Sequence, residues 1–300
     1  MRVQPRLCKS TRRSLQRAAP PPSGLQRKLI PERDDRIYSV GLFVPTMGVA
    51  GIWGPSAIAC ATLAAEEVNR ADRLQGRELT LRVFNASDEC ADMAALARSA
   101  VRDGGIDAIV GMHTSSVRRA IIEGNEGRVP FVYTALHEGR ERSRGVFAIG
   151  ETPDRQLRPA IEMFVRERQA RRWMFIGNDY EWPRVSHDLA RDYVTRAGGE
   201  VLEDRYVPFG AADLDVLLQA VQDTRPDALL LSLVGQDAVD FNRAFGASGL
   251  DQRMVRLSSA IEENMLLAIG AANTRGLYVT SGYFGGMRYE ANLAFRKRWW

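Results

Sequence analysis

The 300 residues are 45% hydrophobic and 26% charged, which is ordinary for a globular protein, and they exceed what one core usually covers, so two domains are expected. No run of eighteen apolar residues occurs, so no membrane-spanning helix is expected. The net charge of +4 is unevenly placed: residues 1–36 carry ten Lys/Arg against three Asp/Glu, +7, which leaves −3 for residues 37–300 and argues against a nucleic-acid surface on the folded body.

The first 36 residues are expected to be disordered, because Pro20-Pro21-Pro22 forbids a helix and apolar periodicity is absent. Thr11-Arg12-Arg13-Ser14-Leu15 has the outline of a twin-arginine export signal. AAPPPSGLQRK stands where an apolar segment should follow, so no leader is recognised. Regular alternation begins with a strand at Ile37–Pro45, a Gly-rich loop at Thr46–Gly54 and a helix from Pro55-Ser56 through Asn69. Gly48-x-x-Gly51-x-x-Gly54 is not the GxGxxG spacing, and no dinucleotide or other cofactor is expected; the loop reads as a turn that lets backbone approach a ligand or the next helix.

A strand over 79–84 leads to Asn85-Ala86-Ser87-Asp88 as the cap of a helix over 89–102, closed by Gly104-Gly105. Strands follow at 108–110, 129–133 and 145–149, with a helix opening at Thr114-Ser115-Ser116. The second half repeats the alternation. Helices are expected over 155–170, 184–197, 213–223, 236–246 and 260–269, and strands over 172–177, 201–207, 227–233, 254–257 and 277–280. Alternating βαβα units imply α/β architecture: two doubly wound parallel-sheet domains, 37–152 and 153–281, with crossings near 149–154 and 281–284. Residues 282–300 head back toward the first domain, and the chain ends inside an expected helix over 289–300, so the return looks short or truncated.

Ligands of such sheets sit outside the carboxyl ends of the strands, where helix N-termini offer free N–H groups. Hydroxyls crowd two such ends: Thr114, Ser115 and Ser116 after one strand, and Tyr133 and Thr134 with Ala135 after the next, flanked by His113 and His137. The loop NDYEWPR places Tyr180 and Trp182 directly after a strand, where they either line a pocket or staple the following helix. Gly235 and Gln236 open another helix at a strand end. Asp179, Asp237, Glu262 and Glu263 are scattered loop carboxylates, suited to an ammonium or amide N–H ligand or to helix capping, and Asp237 fits the cap.

Catalytic patterns are not found. His113, His137 and His187 are the only histidines, His187 reads as a surface or packing residue in mid-helix, and no GxSxG, HExxH or GxxxxGK[ST] occurs. Cys8, Cys60 and Cys90 show no CxxC pair or metal-ligand spacing, so no metal is expected; Cys60 reads as a small core residue, and a Cys60–Cys90 bridge stays open.

Several of these stretches resemble type I periplasmic binding proteins, the Venus-flytrap receptors of branched-chain amino acid transporters, and within them the urea and short-chain-amide branch. They are Gly41-Leu42 leading to Ala64-Ala65-Glu66-Glu67-Val68-Asn69, Gly111-x-x-Thr114-Ser115, Tyr133 followed by His137-Glu138-Gly139, Asp179-Tyr180-x-Trp182-Pro183-Arg184, and Pro208-Phe209-Gly210. The resemblance implies a non-enzymatic receptor of an ABC-type uptake system that closes by hinge motion on a small polar molecule. It implies Ser115 on the ligand's polar head, Tyr133 in the first wall, and Tyr180, Trp182, Gly235 and Gln236 in the second. His113, Thr134, His137 and Trp182 depart from that branch, which leaves short-chain amide, urea and amino acid open as ligands. The implied partners are ABC permease subunits in the periplasm. The alternative, favoured by the unrecognised leader, is a cytosolic amide sensor that signals to a regulatory protein partner. A DNA-binding repressor with this core needs a helix-turn-helix headpiece, and 1–36 carries no amphipathic helix pair.

Overall fold

A computed structural model describes residues 34–87, 92–210 and 213–299. Ten strands and nine α-helices alternate along them. The first sheet comprises β1 (Ile37–Val44), β2 (Glu78–Asn85), β3 (Ala108–Gly111), β4 (Phe131–Tyr133) and β5 (Val146–Ala148), in the order β2-β1-β3-β4-β5. The second comprises β6 (Arg172–Asn178), β7 (Glu200–Val207), β8 (Ala228–Ser232), β9 (Val255–Ser258) and β10 (Leu277–Val279), in the order β10-β9-β8-β6-β7. Every strand pair is parallel. The helices are α1 (Gly54–Arg70), α2 (Met93–Arg102), α3 (Ser115–Asn125), α4 (Pro153–Glu167), α5 (Glu181–Ala197), α6 (Leu214–Thr224), α7 (Gly235–Ala247), α8 (Glu263–Ile269) and α9 (Glu290–Trp299). The expected α/β architecture of two parallel sheets is therefore present.

Residue alternation on the strands decides which face each core takes. In the second lobe Met174, Ile176, Leu229 and Leu231 point to one face and pack under α6, α7 and α8. Trp173, Phe175, Ala228 and Leu230 point to the other and meet α4 and α5. In the first lobe Phe43, Ile109, Phe131 and Tyr133 pack under α2 and α3. Its opposite face runs in register through Val83, Leu42, Val110, Val132 and Phe147. Only the β1 part of that row is deeply buried: Leu42 is 3% exposed, against 47% for Val83 and 56% for Phe147.

Several local expectations are corrected. The helix expected from Glu89 begins at Met93, with Asp92 as its cap, accepting from the Ala95 N–H at 2.8 Å. The expected cap residue Asp88 lies outside the described residues, as do Cys8, Cys90 and most of the 1–36 tail. Helix α5 starts three residues earlier than expected, at Glu181, because Pro183 falls in its first turn, where a missing N–H costs nothing. It ends at Gly198, whose φ of +93° closes the helix in a left-handed conformation. Asp237 does not cap α7. Its carboxylate accepts from Asn178 Nδ2 at 2.6 Å and from the Gly210 N–H at 3.1 Å, tying α7 to the ends of β6 and β7. Cys60 is an exposed free thiol rather than a core residue, since α1 buries only Gly54 and Ala65. His187 is fully buried, as packing requires: it lies between Phe175 and Tyr206, with Nδ1 2.7 Å from Asp204 Oδ1.

The chain leaves the first sheet through 149–152, and α9 returns to the first lobe, where Arg298 Nε meets Glu67 Oε1 at 2.6 Å. The two crossing segments are tied by Glu151. Its carboxylate accepts from the Gly282 N–H at 2.7 Å and from Gln156 Nε2 at 3.0 Å.

Candidate functional site

Carboxyl ends of strands from both sheets converge on one cleft. After β1, the loop supplies Val49 and Trp53; after β4, Leu136. From the second lobe come Tyr180 and Trp182 after β6, Phe209 after β7, Val234 after β8 and Ala260 after β9. Together they form an apolar, largely aromatic cluster that spans the lobes. Tyr180 lies 5.1 Å from the Phe209 ring and 6.3 Å from the Trp182 indole, centroid to centroid. Aromatic faces at this spacing suit a planar or small apolar group.

The cleft is closed. The Gln236 N–H, at the start of α7, donates to the Val49 carbonyl of the opposite lobe at 2.9 Å. Gly235 makes this possible, because its φ is +53° and a Cβ there would overlap the Val49 carbonyl oxygen. The side chain of Gln236 is exposed and turns along α7 to donate to Asp240 at 2.8 Å. An ion pair between Arg119 of α3 and Glu181 of α5 also bridges the lobes.

Beside the aromatic cluster, the first lobe holds a buried polar group. Ser115, the first residue of α3, donates its hydroxyl to Glu138 Oε1, and Arg118 Nη2 donates to Glu138 Oε2 at 2.8 Å. Arg118 Nε lies 3.3 Å from Glu141 Oε2, and the guanidinium sits over the Tyr133 ring at 4.9 Å. Tyr133 is 1% exposed and turns into the core under α3, where its hydroxyl donates to the His113 carbonyl at 2.5 Å. Burial raises the Tyr133 phenol well above its ordinary value. His113 packs against Phe131 and Tyr133 with Nδ1 3.1 Å from the Thr114 carbonyl, and burial pushes its pKa down to about 4. His137 accepts the Gly139 N–H on Nδ1 at 3.1 Å and so pins its own loop.

The remaining candidates lie at the rim. Thr114 is buried, with its hydroxyl 2.9 Å from that of the exposed Ser116. Thr134 is exposed, and both its N–H and its hydroxyl donate to the Gly111 carbonyl. Ala135 is half-buried against the first-lobe core. Glu262 stands at the end of β9, with Oε1 buried and lacking a hydrogen-bond partner among the described residues. Burial, and then Glu263, hold its carboxyl above the usual range, and partial desolvation against α1, with the Glu262 charge, raises the Cys60 thiol. Among the described residues no group of three His, Cys, Asp or Glu is placed to hold a metal ion.

A cavity of about 550 Å³ opens between the lobes beside this polar group, with Arg118, Glu138 and Glu141 on one wall and Glu181, Val185 and Asp188 of α5 on the other. Arg118 was not among the residues singled out from sequence, and Glu138 was noted only within a motif. The three-residue spacing that puts Ser115 and Arg118 on one face of α3 was available to find the first. Nothing local marks the second, whose loop folds back over α3 from 20 residues downstream.

A family model described as periplasmic binding protein matches residues 38–299. Solved structures share the fold. A solute binding protein of an ABC transporter from R. palustris, in complex with 4-hydroxybenzoate, superposes with a TM-score of 0.79 at 19% identity, over 88% of this chain and 73% of that one. A periplasmic binding protein from Burkholderia mallei gives 0.77 at 19% identity, over 88% and 71%. The branched-chain amino acid transporter substrate binding protein LivJ from Streptococcus pneumoniae, in complex with isoleucine, gives 0.76 at 16% identity, over 88% and 76%.

Proposed function

Because the chain belongs to the periplasmic binding protein family, we propose that it is a non-enzymatic solute receptor of an ABC-type uptake system, which takes a small polar molecule into the cleft between its lobes and hands it to permease subunits. The observation that carries this reading is the convergence of strand ends from two separate sheets on one apolar, aromatic cluster with polar groups at its margin. A small ligand held there touches both lobes only when the cleft is closed, so binding favours closure. Ser115 is read on the first wall and Tyr180 and Trp182 on the second, Gln236 acts through its backbone bond to Val49 rather than through its side chain, and Glu262 offers an unpartnered acceptor. The crossings at 149–152 and around Gly282, tied by Glu151, serve as the hinge. Short-chain amides, urea and amino acids are the ligand classes that fit.

The test is a thermal-denaturation screen of the full chain against those three classes. A ligand at 100 times its Kd adds about 2.7 kcal/mol to the folded state, which raises Tm by several degrees for a chain of this size. No shift with any amide, urea or amino acid would sink the reading.

A further inference from the structure

We propose that the free edge of β5 is a docking site for an extended, acid-flanked segment of a partner polypeptide, which adds to the first sheet as a further strand. The site lies outside the aromatic cluster, and it does not depend on what the cleft holds.

Strand β5 ends the first sheet: among the described residues its sole strand neighbour is β4. The bonds that fix this pairing include Phe131 N–H to the Gly145 carbonyl at 2.8 Å and Ile149 N–H to the Tyr133 carbonyl at 2.9 Å. Residues 145, 147 and 149 therefore turn their backbone groups toward β4, and by the two-residue period Val146 and Ala148 turn theirs outward. The Val146 N–H is taken by the Ser143 carbonyl at 3.1 Å. The Val146 carbonyl and both backbone groups of Ala148 are left for an added strand. A groove of about 730 Å³ runs along this edge, lined by every residue from Val146 to Gly150. Outward backbone groups beside open space are a template for strand addition.

Side chains on the same edge say what kind of strand fits. Phe147 and Ile149 are 56% and 67% exposed and point to one face of the sheet, so alternate apolar residues of an added strand have a surface to pack on. Charge supplies the second requirement. Arg140 and Arg155 line the groove, and Arg142 and Arg144 lie on the loop that leads into β5. All are exposed, and none has a carboxylate partner among the described residues. Glu141 and Glu151, which also line the groove, are held from within: Glu141 by the Ser143 N–H and Arg118, Glu151 by the Gly282 N–H and Gln156. The edge is thus apolar at its centre and positive at its flanks, the complement of an apolar strand with Asp or Glu at its ends. A second copy of this chain fits poorly, because pairing β5 with β5 brings arginine-bearing flanks together.

The test is fluorescence anisotropy of labelled synthetic peptides with the full chain. The probes are Glu-Asp-Val-Thr-Val-Thr-Val-Asp-Glu, the same peptide with Lys at every acidic position, and the acidic peptide N-methylated on its valines. The acidic peptide is expected to bind roughly tenfold tighter than either of the others, and its lead over the lysine peptide is expected to shrink between about 0.05 M and about 0.5 M salt. Ala148→Pro removes an outward N–H and leaves the bonds to β4 in place; it is expected to weaken the acidic peptide by roughly tenfold. Equal affinity for the acidic and lysine peptides overturns the proposal, as does binding that survives N-methylation or folded Ala148→Pro unchanged. No binding of the acidic peptide overturns it too, and the arginines are then guards that keep other strands off the edge. The comparison among peptides needs only wild type, so a poorly folded Ala148→Pro leaves it decisive.

Discussion

His113 is a neutral ring inside the first lobe. Burial lowers its pKa from the ordinary 6.5 to about 4, the Thr114 carbonyl offsets this in part, and the Arg118 charge reinforces it. The sign follows from proton binding. Between pH 6.5 and 4 the unfolded chain takes up a proton that the folded chain refuses, so stability present above pH 6.5 is lost as pH falls through that window. For a fully buried group the loss reaches about 2 kcal/mol by pH 5 and about 3 kcal/mol near pH 4. His137, lowered by burial and then by Arg118, pulls in the same direction. Urea denaturation at pH 7 and pH 5 checks this: His113→Phe, which keeps the ring packing against Phe131 and Tyr133, should lose about 2 kcal/mol less than wild type over that interval. Equal losses would show that His113 is not the titrating group. At this scale the sequence showed which strand ends carry polar residues, but not which way they turn. Tyr133 reads as a pocket residue from its place at the end of β4. The two-residue alternation of that strand puts its ring on the same side as Phe131, under α3.

The element that joins the lobes is the junction between the loop after β1 and the first turn of α7. Its hydrogen bond, Gln236 N–H to Val49 C=O, exists only because residue 235 lacks a Cβ and tolerates a φ of +53°. Gly235→Ala should therefore hold the lobes apart while leaving both cores intact, at a folding cost of about 1–2 kcal/mol for the left-handed alanine. With saturating ligand, solution scattering should show a larger radius of gyration than for wild type under the same conditions; an equal radius would mean the junction does not set closure. The elements themselves were legible from apolar runs of strand length separated by helical segments, and the parallel arrangement followed from their alternation. Their junctions were less so. Trp182-Pro183 looked like loop because proline interrupts a helix, yet in the first turn it does not. Asp237 looked like a cap because of its position, but its partners, Asn178 and Gly210, lie on other strands.

For the molecule as a whole, strand ends of two parallel sheets converge, the two crossings between the lobes are tied by Glu151, and the chain belongs to the periplasmic binding protein family. The resemblance was carried by short motifs spread across both lobes, so it was legible early. The ligand was not, because it depends on how side chains from both lobes come to rest in space. The most direct test is small-angle scattering of the full chain with saturating acetamide or urea, beside Gly235→Ala under the same conditions. Hinge closure predicts that the wild-type radius of gyration falls when ligand is added and that the Gly235→Ala radius falls much less. A wild-type radius that stays the same with a ligand shown by calorimetry to be bound would contradict it.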